Sequence, residues 1–328
     1  MSNPDTASQP ARASATPIWR DYLELTKPNV VALMILTTVV GMFLAVPGMV
    51  PLDILIAGNV GIAFCAASAA VINHVVDKKI DVLMKRTENR PVAQGRLEDW
   101  QALMFSAVLG VVGLWVLIYF VNVLTAWLTL GSLIGYALIY TCFLKRATPQ
   151  NIVIGGLAGA APPLLGWTAV TNEIHGYALL LVLIIFAWTP PHFWALAIHR
   201  KDDYAKADIP MLPVTHGEKY TRLHILLYTI ILLAVSLLPF ATKMFGPLYL
   251  LGAVVLGLGF LYWAIVLVIN KNDAAPMETF KYSIIYLMAL FVIMLADHYI
   301  YPLDTRVEPV TQFQPVEQAA GYIPLSET

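Results

Sequence analysis

The chain has 328 residues, of which 59% are hydrophobic and only 12% are charged, and its formal net charge is −1. A soluble domain carries about 25% charged residues, so the composition excludes an ordinary soluble protein and indicates an integral membrane protein. A net charge this close to zero gives no indication of a nucleic-acid surface, and we expect no nucleic-acid partner.

Nine apolar stretches are long enough to cross a lipid bilayer, which requires about 20 residues. We therefore predict an all-α fold, a polytopic membrane bundle of nine transmembrane helices within a single domain at residues 21–301. A disordered tail is expected at residues 1–20, and a second polar tail at residues 302–328. The predicted spans cover approximately residues 29–46, 52–76, 101–121, 123–143, 150–171, 176–199, 222–241, 247–270 and 280–300.

The distribution of basic residues predicts the orientation of the chain in the membrane. If the nine spans alternate in direction, all of the 20 lysines and arginines except Lys243 and Arg306 fall on one side. Because loops rich in Lys and Arg stay in the cytoplasm, we expect a cytoplasmic N-terminus and a periplasmic C-terminus. The expected location is the bacterial inner (cytoplasmic) membrane, with the lipid bilayer as a partner.

A charged motif lies at the end of the second predicted span. Asn73, Asp77 and Asp81 are spaced i, i+4, i+8, which places one amide and two carboxylates on one helical face. Two carboxylates on one face repel, so a divalent cation between them is expected, and ligands that are all oxygens suit Mg²⁺. Arg86 and Arg90 follow at a spacing suited to phosphate. The motif predicts a diphosphate site at the membrane edge; ordinary charges at a solvated helix end are the alternative.

The fifth predicted span contains small residues and a proline pair. Gly155 and Gly159 form a small-xxx-small pattern, which is typical of close helix packing but would also leave room for a bulky ligand. Pro162 and Pro163 should kink or interrupt this helix. Lys145 lies just before this span. Its position either reflects only the preference of lysine for cytoplasmic loops or indicates a contact with phosphate.

A second acidic cluster follows the sixth span on the same side of the membrane. Asp202, Asp203 and Asp208 lie close together in the sequence, and His199 is four residues before Asp203. His74, His192 and His199 could each bind a metal or a haem iron, although a lone histidine near a helix end is more often a hydrogen-bonded structural residue.

The first motif, Asn73-xxx-Asp77-xxx-Asp81 followed by Arg86-Thr-x-x-Arg90-Pro, resembles the first signature of the UbiA-type intramembrane prenyltransferases. This resemblance implies a nine-helix bundle with two aspartate-rich cytoplasmic motifs around a central cavity. A narrower resemblance, to the branch of the family that farnesylates haem, is carried by residues 22–28, 155–166, 188–193 and 203–213.

The second motif departs from the spacing of four residues that many members of the family show between two aspartates. Asp203, which is followed by Tyr204, matches the haem-farnesylating branch best. The resemblance therefore leaves the roles of Asp202 and Asp208 open, and Asp208 could be an ordinary loop residue.

The resemblance implies transfer of farnesyl from farnesyl diphosphate to a vinyl group of haem B with addition of water, which gives haem O for terminal oxidases. It also implies Mg²⁺, with haem B as substrate rather than cofactor. Haem A synthase or proteins of oxidase assembly are possible partners. The expected catalytic residues are Asn73, Asp77, Asp81 and Asp203, with Asp77, Asp81 and Asp203 as metal ligands. The expected substrate-binding residues are Arg86, Arg90, Lys145, Lys27, Tyr204, His192 and His199.

Two alternatives remain open from the sequence. The first is a prenyltransferase of the same family that acts on an aromatic quinone precursor. The second is a polytopic transporter or haem carrier, whose polar residues would be expected near the middle of the membrane. The predicted polar residues cluster at one membrane face instead, which argues against the second alternative.

Overall fold

The computed structural model describes residues 18–270 and 274–301, and all regular elements within these ranges are helices. The predicted tails at residues 1–20 and 302–328 lie outside the described residues, except for residues 18–20, which begin the first helix. In chain order the helices are α1 (Ile18–Leu25), α2 (Pro28–Leu44), α3 (Leu52–Asp81), α4 (Asp99–Phe120), α5 (Val123–Ala147), α6 (Asn151–Thr171), α7 (Gly176–His199), α8 (Lys201–Lys206), α9 (Leu212–Thr215), α10 (Gly217–Ala241), α11 (Pro247–Ile269) and α12 (Ala275–Ile300).

Within residues 18–270 and 274–301, eight helices are individually long and apolar enough to cross a membrane, namely α3 to α7 and α10 to α12. The remaining predicted span corresponds to α2, which has 17 residues and reaches sufficient length together with α1 across a bend of 46°. Lys27 forms this bend with a left-handed backbone (φ 51°), and Pro28 opens α2 in the first helical turn. The predicted all-α, multi-pass membrane fold is therefore confirmed for the described residues.

Helix α3 is longer than its predicted span. Its 30 residues extend over roughly 45 Å, whereas the hydrocarbon core of a bilayer is about 30 Å thick. Beyond the predicted apolar span at residues 52–76, the helix continues without a break through Asp77 to Asp81, as the helical spacing of the first motif implies. The polar motif thus lies on the last turns of a rigid helix that packs along α4.

Helices α5 and α6 depart from regular α-helical geometry. Residues Gly135–Leu144 of α5 form a π-helix, in which the Thr141 hydroxyl donates to the carbonyl oxygen of Tyr136, five residues earlier, at 2.8 Å. Helix α6 is interrupted between Ala160 and Pro162, as predicted from its proline pair.

The helix connections alternate between two ends of the bundle. We call the end formed by the connections after α1, α3, α5, α7 and α11 the charged end. At the other end, the Tyr177 hydroxyl donates to the carbonyl of Thr242 at 3.2 Å, and His298 Nε2 lies 2.8 Å from the carbonyl oxygen of Val46. This alternation places both charged motifs of the sequence at the same end.

Apolar contacts fix the long connection between α3 and α4 at the charged end. Met84 is buried in a cluster with Ile209 and Met211, which come from the connection between α7 and α10. Farther along, Val92 packs into a second cluster with Leu25 of α1. Because both sides of the connection are anchored in buried apolar clusters, its charged side chains are held in defined positions.

Candidate active site

The first motif forms a buried network of ion pairs at the end of α3. Asp77 and Asp81 are 1% and 3% exposed. Lys145 Nζ lies 2.6 Å from Asp77 Oδ2, and Arg90 donates to both carboxylate oxygens of Asp81 at 2.8 Å. Each acid on this face therefore has its own cation, which offsets the repulsion between them.

Asn73 joins this network to two other helices. Its amide nitrogen donates to Asp77 Oδ2 at 2.8 Å and lies 3.5 Å from the hydroxyl of Thr141 in α5. Its amide oxygen accepts a hydrogen bond from Lys27 at the α1–α2 bend. The predicted substrate-binding residues Lys27, Arg90 and Lys145 thus converge on the predicted catalytic face of α3.

One carboxylate oxygen of this network has no protein partner within residues 18–270 and 274–301. Asp77 Oδ1 is buried and accepts no hydrogen bond there, which is unfavourable for an anionic oxygen. A hard cation such as Mg²⁺ would satisfy it, because Mg²⁺ prefers oxygen ligands. The residues of the first motif therefore fit a magnesium ion by their chemistry.

The three predicted metal ligands do not form one cluster. Within the described residues no group of three or more His, Cys, Asp or Glu side chains is arranged to hold a metal ion. Asp77 and Asp81 are instead paired with Lys145 and Arg90, while Asp203 lies in the second charged region.

The second region is an open cleft of about 490 Å³ next to the first motif. Its lining residues are Lys85, Arg86, His199, Arg200, Asp202 and Asp203. Asp203 and Tyr204 lie on the six-residue helix α8, whereas Asp208 is exposed in the following turn with a left-handed backbone (φ 51°).

Arg86 connects the two charged regions. Its guanidinium group lines the cleft and lies within electrostatic range of both Asp81 and Tyr204. Burial lowers the pKa of Arg86, and burial likewise raises the pKa of the Tyr204 hydroxyl. Tyr204 thus stays protonated, and its hydroxyl can donate a hydrogen bond to an anion held near Arg86.

The two histidines predicted on the substrate side have different environments. His199 is exposed and lines the cleft. His192 lies two helical turns away and is 8% exposed, with Nδ1 at 2.6 Å from the Ser283 hydroxyl. Its ring is stacked on Trp188 and Phe280 at centroid distances of 4.1 and 4.5 Å. The structure therefore places His199, and not His192, in the charged cleft.

A further ion pair at the charged end was missed by the sequence reasoning. Arg96 Nε lies 3.0 Å from Asp21 Oδ1 of α1, and the same guanidinium donates to the carbonyl of Asn89 at 3.1 Å. Asp21 is 5% exposed. A carboxylate just before the first predicted span was the available signal for such a pair.

Two tyrosines beside the first motif were also missed. Tyr136 and Tyr140 belong to the π-helical part of α5, and both lie within electrostatic range of Asp77. Regular helical periodicity gives no indication of their position, because the π-helix changes which residues share a face.

These features define a multi-pass membrane protein with a buried network of carboxylates and cations at one end of a helical bundle. The model of the UbiA prenyltransferase family matches residues 34–293, which is most of the chain. The protein therefore belongs to the UbiA prenyltransferase family, whose members are membrane enzymes.

Comparisons with individual proteins agree with this assignment. The chain is 71% identical over 286 residues to the protoheme IX farnesyltransferase of Saccharophagus degradans, covering 87% of this chain and 94% of that protein. A solved structure of a digeranylgeranylglyceryl phosphate synthase shares the fold, with a TM-score of 0.74 at 19% identity, over 86% of this chain and 99% of the other. A UbiA homologue from Archaeoglobus fulgidus bound to GPP and Mg²⁺ gives a TM-score of 0.60 at 15% identity, over 84% and 99% of the two chains.

Proposed function

We propose that this protein transfers the farnesyl group of farnesyl diphosphate to a vinyl group of haem B, with addition of water, to give haem O and diphosphate. The observation that carries the proposal is the 71% identity to a protoheme IX farnesyltransferase over nearly the whole of that protein. The buried network of Asp77, Asp81 and their cations supplies a site of the required chemistry at the membrane edge.

The proposed metal site consists of oxygen ligands. Asp77 and Asp81, with the amide oxygen of Asn73, would hold Mg²⁺ on α3, and Asp203 would contribute from the cleft. The unpartnered oxygen of Asp77 supports this assignment, as does the Mg²⁺ bound to the Archaeoglobus fulgidus homologue. When bound, the ion would neutralise the acidic side chains and the leaving diphosphate together.

The cations of the site would bind the diphosphate. Lys145 and Lys27 approach the first motif from two helices, and Arg90 and Arg86 approach it from the α3–α4 connection. Arginine matches the geometry of phosphate oxygens, and lysine supplies a point charge. Because these groups are fixed by packing, they stabilise the charge that develops on the departing diphosphate at little cost in reorganisation.

The apolar helices below this site would bind the farnesyl chain and exclude water. An allylic cation formed after loss of diphosphate reacts with any available water, so a dry environment favours attack by the haem vinyl group. Tyr204 can donate a hydrogen bond at the boundary between the cleft and the first motif.

The haem would approach from the cleft side of the site. His199 lines that cleft and is exposed, so it is the better placed of the two predicted histidines to contact the haem. We expect His199→Ala to weaken haem binding, measured by titration of the Soret absorbance, and His192→Ala chiefly to reduce stability. Unchanged haem affinity in the His199→Ala variant would remove this assignment.

Incubation of the purified protein in lipid nanodiscs with haem B, farnesyl diphosphate and Mg²⁺ tests the proposed function directly. We expect mass analysis of the extracted porphyrins to show haem O, and Asp77→Asn to abolish its formation. Farnesylation of an aromatic quinone precursor, with haem B left unmodified, would contradict the proposed acceptor.

The proposed location is the bacterial inner membrane with the charged end in the cytoplasm. The concentration of lysine and arginine at this end supports the orientation. Reporter fusions after residue 98 and after residue 245 should give cytoplasmic and periplasmic signals, respectively. Haem A synthase and oxidase assembly proteins are proposed as partners that receive the product.

A further inference from the structure

His74 is a buried histidine of α3 whose imidazole has no hydrogen-bond partner. The residue is 2% exposed. Neither Nδ1 nor Nε2 makes a hydrogen bond to any residue within 18–270 and 274–301. A neutral imidazole has one N–H donor and one acceptor nitrogen, and burying such a group without a partner is unfavourable. His74 therefore needs a partner that the described part of the chain does not supply.

The other buried histidines of the described chain differ from His74 in this respect. His192 Nδ1 lies 2.6 Å from the hydroxyl of Ser283, and His298 Nε2 lies 2.8 Å from the carbonyl oxygen of Val46. A histidine with a purely structural role in this bundle thus has a protein partner. The unpartnered ring of His74 indicates a different role.

Helical spacing places His74 on the same side of α3 as the two acids. Asp77 follows it by three residues and Asp81 by seven, which is almost two complete turns. Because side chains seven residues apart are nearly aligned along a helix, His74 lies below Asp81, about 10 Å farther from the charged end. The imidazole is therefore on the inner side of the ion-pair network, toward the apolar part of the bundle.

Three cations lie near this position. Lys27, Arg86 and Arg90 are all within electrostatic range of the His74 ring. Lys27 also donates a hydrogen bond to the amide oxygen of the preceding residue, Asn73. These cations favour a neutral ring, because a further positive charge in a buried site would be repelled. A neutral N–H beside three cations is suited to donate to an anionic ligand.

His74 and Asp77 have unpartnered atoms with opposite requirements. Asp77 Oδ1 is an anionic acceptor and needs a cation, whereas the N–H of His74 is a donor and needs an acceptor. The two side chains do not pair with each other, although they are only one helical turn apart. A diphosphate accompanied by a metal ion would satisfy both, since it brings a cation and acceptor oxygens together.

We propose that His74 is a further catalytic residue of this site, and that its neutral N–H donates a hydrogen bond to the α-phosphate of the bound prenyl diphosphate. This inference rests on the proposed function. The α-phosphate is the one bonded to the prenyl chain. If the cations hold the diphosphate and the chain extends into the apolar helices, the α-phosphate is on the inner side of the cations, where His74 lies.

The proposed role involves no proton transfer. When the bond between C1 and the diphosphate oxygen breaks, both electrons leave with the diphosphate, and negative charge increases on that oxygen. A hydrogen bond from a fixed N–H strengthens as this charge develops, so it stabilises the transition state more than the bound substrate. The proton remains on His74 throughout, and the allylic cation is consumed by the haem vinyl group.

Substitutions of His74 by glutamine and by leucine test this role. Glutamine retains an N–H donor, whereas leucine retains only apolar volume. Diphosphate release is measured in a single turnover with haem B in nanodiscs, together with the affinity for non-ionisable farnesyl thiolodiphosphate. We expect His74→Leu to slow release about a hundred-fold and to weaken binding of the analogue less than about ten-fold. His74→Gln should release diphosphate within about five-fold of the wild-type rate.

A histidine at the opposite end of the bundle supplies the control. His175 is exposed in the connection between α6 and α7, and His175→Leu should release diphosphate at the wild-type rate. A wild-type rate in His74→Leu would show that the ring does not contact the reacting group. Equal losses in His74→Leu and His74→Gln would show that the N–H donor is not what matters, and a changed Soret band in both would identify an iron ligand instead. Each of these results would overturn the proposal.

A spectroscopic measurement tests the contact without turnover. Histidine labelled with ¹⁵N in the ring is incorporated, and the signal of His74 is identified by its absence in His74→Gln. We expect the N–H proton of His74 to move downfield when inorganic diphosphate and Mg²⁺ are added, while the signal of His175 stays in place. An unmoved His74 signal would contradict the proposal. Because the wild-type protein is observed, the result does not depend on whether His74→Leu folds.

The two measurements separate this inference from the proposed function. If the His74 signal responded to diphosphate and release showed the expected dependence on position 74, but no haem O formed, the proposed acceptor would be wrong and the role of His74 would stand. If haem O formed equally fast in the wild type and in His74→Leu, the function would stand and the role of His74 would fall.

Discussion

The two acidic regions at the charged end differ in burial and in support. Asp77 and Asp81 lie on the last turns of a 30-residue helix, are nearly inaccessible to solvent and have close cationic partners. Asp202 and Asp203 lie on a six-residue helix and line an open cleft. The first region is thus a preorganised electrostatic site, and the second is an open region whose side chains can adjust when a ligand arrives.

This difference separates two tasks that a transferase must perform. Stabilising a developing charge requires groups that are already fixed when the reaction occurs, because reorganisation would cost part of the gain. Admitting a large, flat second substrate requires an opening that is not closed by packing. Under the proposed function, α3 meets the first requirement and the cleft beside α8 meets the second.

The largest expected effect on activity is at the first acidic region, on α3. Asp77→Asn should reduce the rate of haem O formation by roughly a thousand-fold, because it removes charge from the centre of the network. The exposed Asp53, in the first turn of α3 at the opposite end, is the matched control, and Asp53→Asn should retain wild-type activity. Size-exclusion chromatography in detergent checks that both variants fold. Near-wild-type turnover by the Asp77 variant would exclude its proposed role.

The next prediction compares two ion pairs of unequal burial. Lys145→Gln leaves the buried Asp77 without its cation and should lower the free energy of unfolding by about 3 kcal/mol. Lys78→Gln breaks an exposed pair with Asp99, whose side chains are 39% and 51% exposed, and should cost less than about 1 kcal/mol. Unfolding in mixed micelles measures both. Equal losses would show that burial does not distinguish the two pairs.

Substitutions of Asp203 and Asp208 test the second, open acidic region. Asp203→Asn should lower the rate of transfer by about ten- to a hundred-fold, since the partly exposed carboxylate of Asp203 contributes less than a fully buried one. Asp208→Asn should change the rate less than two-fold, because Asp208 is exposed in the turn after α8. Steady-state assays over a range of Mg²⁺ concentrations should show a weakened metal dependence for the Asp203 variant. A larger loss of rate for Asp208→Asn than for Asp203→Asn would show that Asp208, and not Asp203, is the functional residue of the second motif.

The smallest expected effect is at the anchor of the α3–α4 connection. Arg96→Gln removes the ion pair with Asp21 and the hydrogen bond to the Asn89 carbonyl, and should cost about 1 kcal/mol. Hydrogen exchange should rise in residues 82–98, and the KM for farnesyl diphosphate should rise a few-fold. Lys281→Gln, which breaks an exposed pair with Glu278, is the control. Unchanged exchange in residues 82–98 would rule out an anchoring role.

The sequence predicted the site unevenly. Asn73, Asp77 and Asp81 were placed on one face because a spacing of four residues remains in register along an uninterrupted helix. The residues that pair with these side chains could not be predicted from helical spacing. Lys145 follows Asp77 by 68 residues, and Lys27 precedes Asn73 by 46, so only packing of three helices brings them together. Tyr136 and Tyr140 of α5 were not predicted as site residues, because the face they share depends on a π-helical turn.

The sequence by itself determined the membrane-spanning bundle, the grouping of its charges at one end and the face of α3 that carries the acids. Each of these follows from local physical rules: apolar length, the distribution of lysine and arginine, and helical period. The tertiary structure alone decided which cation neutralises which acid and how the α3–α4 connection is anchored. It also decided that Asp203 lies in a cleft separate from the buried network. These contacts join residues far apart in the chain, and their energies depend on burial, which no local pattern records.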